Sequence, residues 1–170
     1  MNFTVGWAGL GLTIISVWVS GLFFDFTLPR LIEESYTISR EAIFDNRVYF
    51  YQVDDITGAV NGVSIESDDY LSTALDNVVS PAFSTSNNTE SGTVEMESGL
   101  LAPLMIVDGD LEQAQNGNAN VFTAYSGANT DNGSFDRIQL LDTNTFAFED
   151  LPNGSDGDFD DLIISFDSFA

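Results

Sequence analysis

The chain has 170 residues, a length that suits one domain with a small appendage, and 27 acidic residues against 4 basic ones give a formal net charge of −23. Such a charge repels nucleic-acid phosphates and anionic lipid headgroups, which argues against nucleic-acid binding and makes hard cations the natural partners. The chain has no His and no Cys, which rules out disulfides, thiolate metal sites and the usual catalytic triads, while its hydrophobic fraction of 44% provides for a core.

The chain begins with an uncharged hydrophobic segment, residues 1–24. As a helix, this segment would span roughly 36 Å, enough to cross a bilayer with some tilt. Its glycines and its run of β-branched residues favour instead strands of the core. The sequence leaves both alternatives open. It predicts a hydrophobic N-terminal segment at 1–28, either a membrane-anchoring helix or an assembly segment, followed by an acidic domain at 29–170.

The acidic domain contains short runs rich in β-branched and aromatic residues, separated by clusters of turn-forming residues. Strands at this spacing are typical of antiparallel sandwiches. We therefore predict a mainly β protein, an antiparallel and jelly-roll-like β-sandwich. The predicted strands are 36–39, 47–53, 62–66, 92–97, 101–107, 120–126, 136–142 and 161–167.

One short helix is predicted within this pattern, over DDYLSTALDNVVS at 68–80. Its apolar residues recur at helical spacing and form one face. Ser67 or Asp68 is expected to cap its N-terminus, and Pro81 is expected to stop it.

The last predicted strand follows an acidic turn within FEDLPNGSDGDFDDLIISF, residues 148–166. The side chains of Asp156, Asp158 and Asp160 are three carboxylates at alternate positions, as at the start of an EF-hand loop. The EF-hand interpretation then fails, because Asp161 stands where that loop requires Gly and the flanking segments look like strands. Close carboxylates repel each other unless a cation binds between them, and oxygen ligands suit calcium. The alternative is a solvated acidic loop that only aids solubility.

The same stretch resembles the closing motif of a bacterial family called "domain of unknown function 4114", in which F-E-D-L-P precedes a glycine-rich acidic turn and an apolar strand. The segments 37–60, 68–79, 100–109 and 121–141 resemble earlier parts of that family in the same order. The resemblance covers about 35–168. Ser155 and Tyr49 stand where the family usually has Gly, and the hydrophobic N-terminus has no counterpart.

The resemblance implies an exported β-sandwich of secreted or cell-surface bacterial proteins, cyanobacterial ones included, that binds calcium at the acidic turn. It does not imply an enzyme. Carried over position by position, it implies six ligands. Four are expected to bind calcium directly, and the last two either directly or through water: Asp156, Asp158, Asp160, Asp161, Glu149 and Asp150.

These observations predict a non-catalytic, extracytoplasmic calcium-binding module for surface adhesion or assembly, acting through protein partners or self-association. Two alternatives stay open. One is a membrane-anchored accessory subunit of a membrane complex, with residues 1–24 in contact with lipid. The other is a calcium-dependent carbohydrate-binding module. The sequence names neither the partner nor the oligomeric state.

Overall fold

The computed structural model describes residues 2–8, 12–19, 22–27, 30–130, 135–151 and 157–168. Over these ranges the protein is mainly antiparallel β-structure, which confirms the predicted fold class.

Three strands occupy the hydrophobic N-terminal segment: β1 (Asn2–Ala8), β2 (Leu12–Val19) and β3 (Leu22–Thr27). They form an antiparallel sheet in the order β1-β2-β3 and, among the described strands, pair only with one another. The choice between a membrane-anchoring helix and strands of the core, which the sequence left open here, stays a prediction. In the described part of the chain, no helix has both the length and the apolar character needed to cross a membrane. The domain division at residue 28 stays a prediction.

The remaining strands form a five-stranded and a three-stranded sheet. The larger sheet has the order β6-β4-β11-β10-β9, and the smaller has the order β5-β7-β8. The strands are β4 (Leu31–Ser39), β5 (Arg47–Gln52), β6 (Thr89–Glu97), β7 (Leu101–Val107), β8 (Asn120–Thr123), β9 (Ile138–Asp142), β10 (Thr145–Phe148) and β11 (Leu162–Phe166).

The β5-β7-β8 sheet is buried on both faces. Successive side chains of a strand point to opposite faces, so in β5 Val48 and Phe50 enter one core cluster while Tyr49 and Tyr51 enter another. The first cluster fills the space between the two sheets. The second packs against helices α1 (Tyr70–Asp76) and α2 (Leu111–Gln115). Burial on both faces explains why β7 is apolar throughout and why the four residues between Arg47 and Gln52, the ends of β5, are apolar or aromatic.

The predicted helix at 68–80 exists but is shorter than predicted. Helix α1 ends at Asp76, before Pro81, because the next residues pair with β5: Val78 bridges Tyr51, and the backbone N–H of Val79 donates to Phe50. The expected cap is also wrong. Asp69 is the N-cap residue and makes no side-chain capping bond.

Three further differences concern short elements. The segment 62–66 is a turn rather than a strand. Strand β10 was not predicted. Helix α2 was not predicted either, although Asp110 and Gln113 form a capping box at its N-terminus.

Candidate metal site

The acidic turn connects two neighbouring antiparallel strands, β10 and β11. Phe148 at the end of β10 pairs with Leu162 at the start of β11, and both side chains are fully buried. Glu149 and Asp150 follow the first strand directly, and Asp161 directly precedes the second. The pairing of the strands therefore brings these three acidic residues together at one end of the hairpin.

Glu149, Asp150 and Asp161, which we call the acid cluster, each offer one carboxylate oxygen such that these atoms lie within 4.8 Å of one another. Glu149 and Asp150 are buried, and Asp161 is half-buried. Backbone N–H groups orient two of the carboxylates: Asp150 donates to Oδ2 of Asp161 at 2.7 Å, and Leu151 donates to Oε1 of Glu149 at 3.1 Å. The cluster is thus a set of oxygen donors at a separation that suits a hard cation.

Asp158 and Asp160, which we call the outer pair, do not join this cluster. Between them, Phe159 has a left-handed backbone (φ 57°), and its buried ring stacks on Phe135 with the centroids 5.8 Å apart. Burial raises the pKa of Asp160, and so do its hydrogen bond to Asp158 and the nearby charges of Asp158, Glu41 and Asp161. Burial is thus the first cause of the raised pKa, and the negative charge along the turn adds to it.

A buried arginine supports the turn. Arg137 is 1% exposed, and its guanidinium carbon lies 4.2 Å from the ring centroid of Phe122 and 5.6 Å from that of Phe135. Its Nη1 donates to the carbonyl of Leu151, and its own carbonyl accepts from the backbone N–H of Glu149 at 3.0 Å. Arg137 therefore holds the backbone on both sides of Asp150.

One residue near the cluster was not predicted. Asn46 is 1% exposed, and its Nδ2 donates to Oδ2 of Asp150 at 2.5 Å across 104 positions of sequence. An Asn immediately before a predicted strand gives no local signal that it reaches an acidic turn so far along the chain.

The six predicted ligands thus fall into three groups. Glu149, Asp150 and Asp161 form the acid cluster. Asp158 and Asp160 lie outside it, and Asp156 lies outside the described residues. An acidic cluster able to hold a cation exists at the predicted turn, while the complete ligand set and the identity of the ion stay predictions.

The fold and the cluster define a mainly β, sandwich-like protein with a candidate oxygen-donor cation site. Residues 96–168 match the model of the family described as "Domain of unknown function (DUF4114)", which confirms the resemblance over that range. The match includes β7 to β11 and the acid cluster. Residues 35–95, with Asn46, resemble the family without being part of the match. No curated protein and no solved structure matches the chain.

Proposed function

We propose that the protein is a non-catalytic, calcium-binding β-sandwich module. The acid cluster is the observation that carries the proposal. Two carboxylates less than 5 Å apart repel each other by about 3 kcal/mol at an effective dielectric constant near 20. A divalent cation between them converts that repulsion into attraction. The ligands are oxygens in a chain without His or Cys, which favours calcium over zinc or iron.

Composition supports binding rather than catalysis. Without His or Cys, the chain has neither the usual general base nor a thiolate nucleophile. The cluster also lies at the end of a buried strand pair, where an ion would join β10 to β11. The role that follows is structural: calcium stabilises the folded domain and makes its stability depend on the ion concentration.

Thermal melting in chelator and in increasing calcium tests the proposal. We expect the melting temperature to rise with calcium and to saturate; a hundredfold excess over Kd corresponds to about 2.7 kcal/mol. Glu149→Gln retains an acceptor for the N–H of Leu151 but removes a charge. It should abolish most of the calcium shift without lowering the stability in chelator.

Asp68→Asn is the matched control, because it removes one charge from an exposed residue next to α1. This variant should keep the full calcium shift. A wild-type melting temperature that is the same in chelator and in millimolar calcium would contradict the proposal.

We further propose that the module acts outside the cytoplasm, in surface adhesion or assembly. The family resemblance supports the location. Strand β9 supports protein contact, because it is the last strand of its sheet and Leu140 and Leu141 are 61% and 55% exposed. Among the described strands, β9 pairs only with β10, and an edge strand with apolar side chains on both faces suits strand addition by a second copy of the chain.

Sedimentation of the wild type and of Leu140→Gln/Leu141→Gln tests this contact. Molar salt screens the repulsion between two acidic copies, so wild-type association is expected there and should be lost in the double variant. A wild type that stays monomeric at high concentration in calcium and molar salt would exclude self-association through β9.

A specific observation also favours the carbohydrate-binding alternative. A polar cleft of about 640 Å³ lies beside the acidic turn and is lined in part by Arg40, Glu41, Asn87, Asn88 and Asp160. Side chains of this kind hydrogen-bond sugar hydroxyls. Calcium-dependent binding on a glycan array would support this function, and its absence would leave the assembly role.

Co-sedimentation with membranes tests the membrane-anchored alternative.

A further inference from the structure

Asn46 combines a contact to the acid cluster with an amide oxygen that lacks a partner. The residue is 1% exposed, and its Nδ2 lies 2.5 Å from Oδ2 of Asp150. Its Oδ1 is buried and has no hydrogen-bond partner in the part of the chain that the structure describes. Buried polar atoms are normally satisfied, so this orientation of the amide is not a fully satisfied one, and Oδ1 makes no hydrogen bond that a rotation of the group would break.

The two ends of a side-chain amide have nearly the same shape and can exchange places by a half-turn of the group. After this rotation, Oδ1 of Asn46 occupies the position next to Asp150. An amide oxygen beside a carboxylate oxygen is unfavourable in the absence of a cation. With a cation it is favourable, because calcium binds both carboxylate and amide oxygens.

The backbone around Asn46 already lies against the acidic turn. The N–H of Glu41 donates to the carbonyl of Asp160 at 3.3 Å, and the N–H of Ala42 donates to that of Asp161 at 3.4 Å. Arg40 fixes the same segment by donating to the carbonyls of Thr85 and Phe44. Asn46 is therefore held in place beside the cluster before any ion binds.

We propose that Asn46 is a fourth, neutral ligand of the cation that the acid cluster binds, and that its amide turns over when the ion enters. The inference rests on the proposed calcium-binding function and extends it. Asn46 immediately precedes β5 in the β5-β7-β8 sheet, whereas the cluster joins β10 and β11 in the five-stranded sheet. The ion therefore cross-links the two sheets of the sandwich. Three carboxylates and an amide also favour calcium over magnesium, which keeps more of its water.

Two substitutions separate a ligand from a hydrogen-bond donor. Asn46→Asp cannot donate to Asp150 but offers an oxygen, so it should bind calcium as tightly as the wild type or more tightly, while melting at a lower temperature in chelator. Asn46→Leu offers no oxygen and should weaken calcium binding about tenfold or more. Calorimetric titration with calcium measures both affinities. Europium is a luminescent ion that occupies calcium sites, and its emission lifetimes in H₂O and D₂O give the number of water molecules bound to it. Europium bound to Asn46→Leu should carry one more water than europium bound to the wild type.

Asn129→Leu is the matched control. Asn129 is also buried, at 6% exposure, but its Oδ1 accepts from Thr123 rather than contacting the cluster. Its calcium affinity should equal that of the wild type. If Asn46→Asp loses affinity as Asn46→Leu does, Asn46 only positions Asp150, and the inference is wrong. If the wild type binds calcium and both Asn46 variants bind it equally well, the inference fails while the proposed function stands. A wild type that binds no calcium overturns both.

Discussion

At the scale of single residues, two buried tyrosines link helix α1 to the β5-β7-β8 sheet. The hydroxyl of Tyr70 donates to the carbonyl of Gly58 at 2.8 Å and lies 3.0 Å from the hydroxyl of Tyr51. Burial raises the pKa of Tyr51, and the hydrogen bond to Tyr70 adds to this effect. Burial also raises the pKa of Tyr70, to about 12. Both side chains therefore stay protonated in the fold at pH values where they ionise in the unfolded chain.

This pair predicts a loss of stability at alkaline pH. A tyrosine in the unfolded chain ionises near pH 10, so the stabilisation is complete below about pH 10 and is lost as the pH rises from there through the folded-state pKa. The expected slope is about 1.4 kcal/mol per pH unit for each tyrosine. The chain has no Lys, Cys or His, so tyrosines are the only side chains that titrate between about pH 8 and about 12.

Urea unfolding at several pH values between about 8 and 12 measures this slope. Tyr51→Phe removes one titrating group and should make the loss of stability shallower. Its stability near pH 8 should fall, because the hydroxyl of Tyr70 loses one of its two hydrogen-bond partners and keeps only Gly58. Equal slopes for the wild type and Tyr51→Phe would show that the pair does not control alkaline unfolding.

The sequence could predict only part of the site at this scale. Glu149, Asp150 and Asp161 lie close together in the chain, at the two ends of one turn, so their spacing alone indicates a shared position once both flanks are strands. Asn46 could not be found in this way, because its contact with Asp150 depends on how one sheet packs on the other. No local pattern encodes that packing.

At the scale of elements, an aromatic cluster joins the five-stranded sheet to the β5-β7-β8 sheet. These are also the two sheets that the contact between Asn46 and Asp150 connects. Phe50 of β5 is fully buried and meets Phe83, Phe146 of β10 and Phe166 of β11 edge to face, with ring centroids 5.5–5.6 Å apart. Aromatic pairs in this geometry add about 0.5–1.5 kcal/mol each beyond the area that they bury. The contact between the two sheets thus depends strongly on one side chain of β5.

We expect Phe50→Ala to lower the free energy of unfolding by about 3–5 kcal/mol, because it removes these contacts and leaves a cavity between the sheets. Phe50→Leu should cost about 2 kcal/mol, since it fills most of the volume but loses the edge-to-face pairs. Urea unfolding in saturating calcium measures both. Ile43→Ala, at a residue that is 93% exposed, is the control and should stay within about 0.5 kcal/mol of the wild type. A similarly small effect for Phe50→Ala would show that the sheets do not depend on this cluster.

The same scale explains which elements the sequence predicts correctly. Strand β7 is apolar throughout and β5 has a continuous apolar and aromatic centre, and turn-forming residues lie near both, so their bounds are nearly as predicted. The run at 62–66 alternates like a strand, but the carboxylate of Asp54 accepts the N–H groups of Asn61 and Gly62, both with positive φ, and closes a tight turn there. Strand β10 has four residues between two turn-like segments, too few for a periodic pattern; its pairing with β9 and β11 stabilises it.

At the scale of the whole molecule, charge opposes folding. A formal net charge of −23 on 170 residues makes the compact state repel itself, and the four arginines cannot offset 27 carboxylates. Three of the arginines donate to backbone carbonyls: Arg40 to those of Thr85 and Phe44, Arg47 to that of Gly109, and Arg137 to that of Leu151. Solvent cations must therefore supply most of the screening.

We expect monovalent salt to stabilise the protein even in the presence of chelator. Raising the salt from about 0.1 M to about 1 M shortens the Debye length from about 10 Å to about 3 Å and removes most of the long-range repulsion. The melting temperature should rise by about 5 °C or more, which corresponds to roughly 2 kcal/mol for a chain of this length.

Sodium and potassium chloride should act alike and without saturation, whereas calcium should act at far lower concentration and saturate through the acid cluster. Glu149→Gln is the decisive comparison, because it should retain the salt response and lose the calcium response. A melting temperature that is independent of monovalent salt would contradict the claim that charge repulsion opposes folding. A calcium effect that sodium chloride reproduces at equal ionic strength would contradict specific binding by the acid cluster.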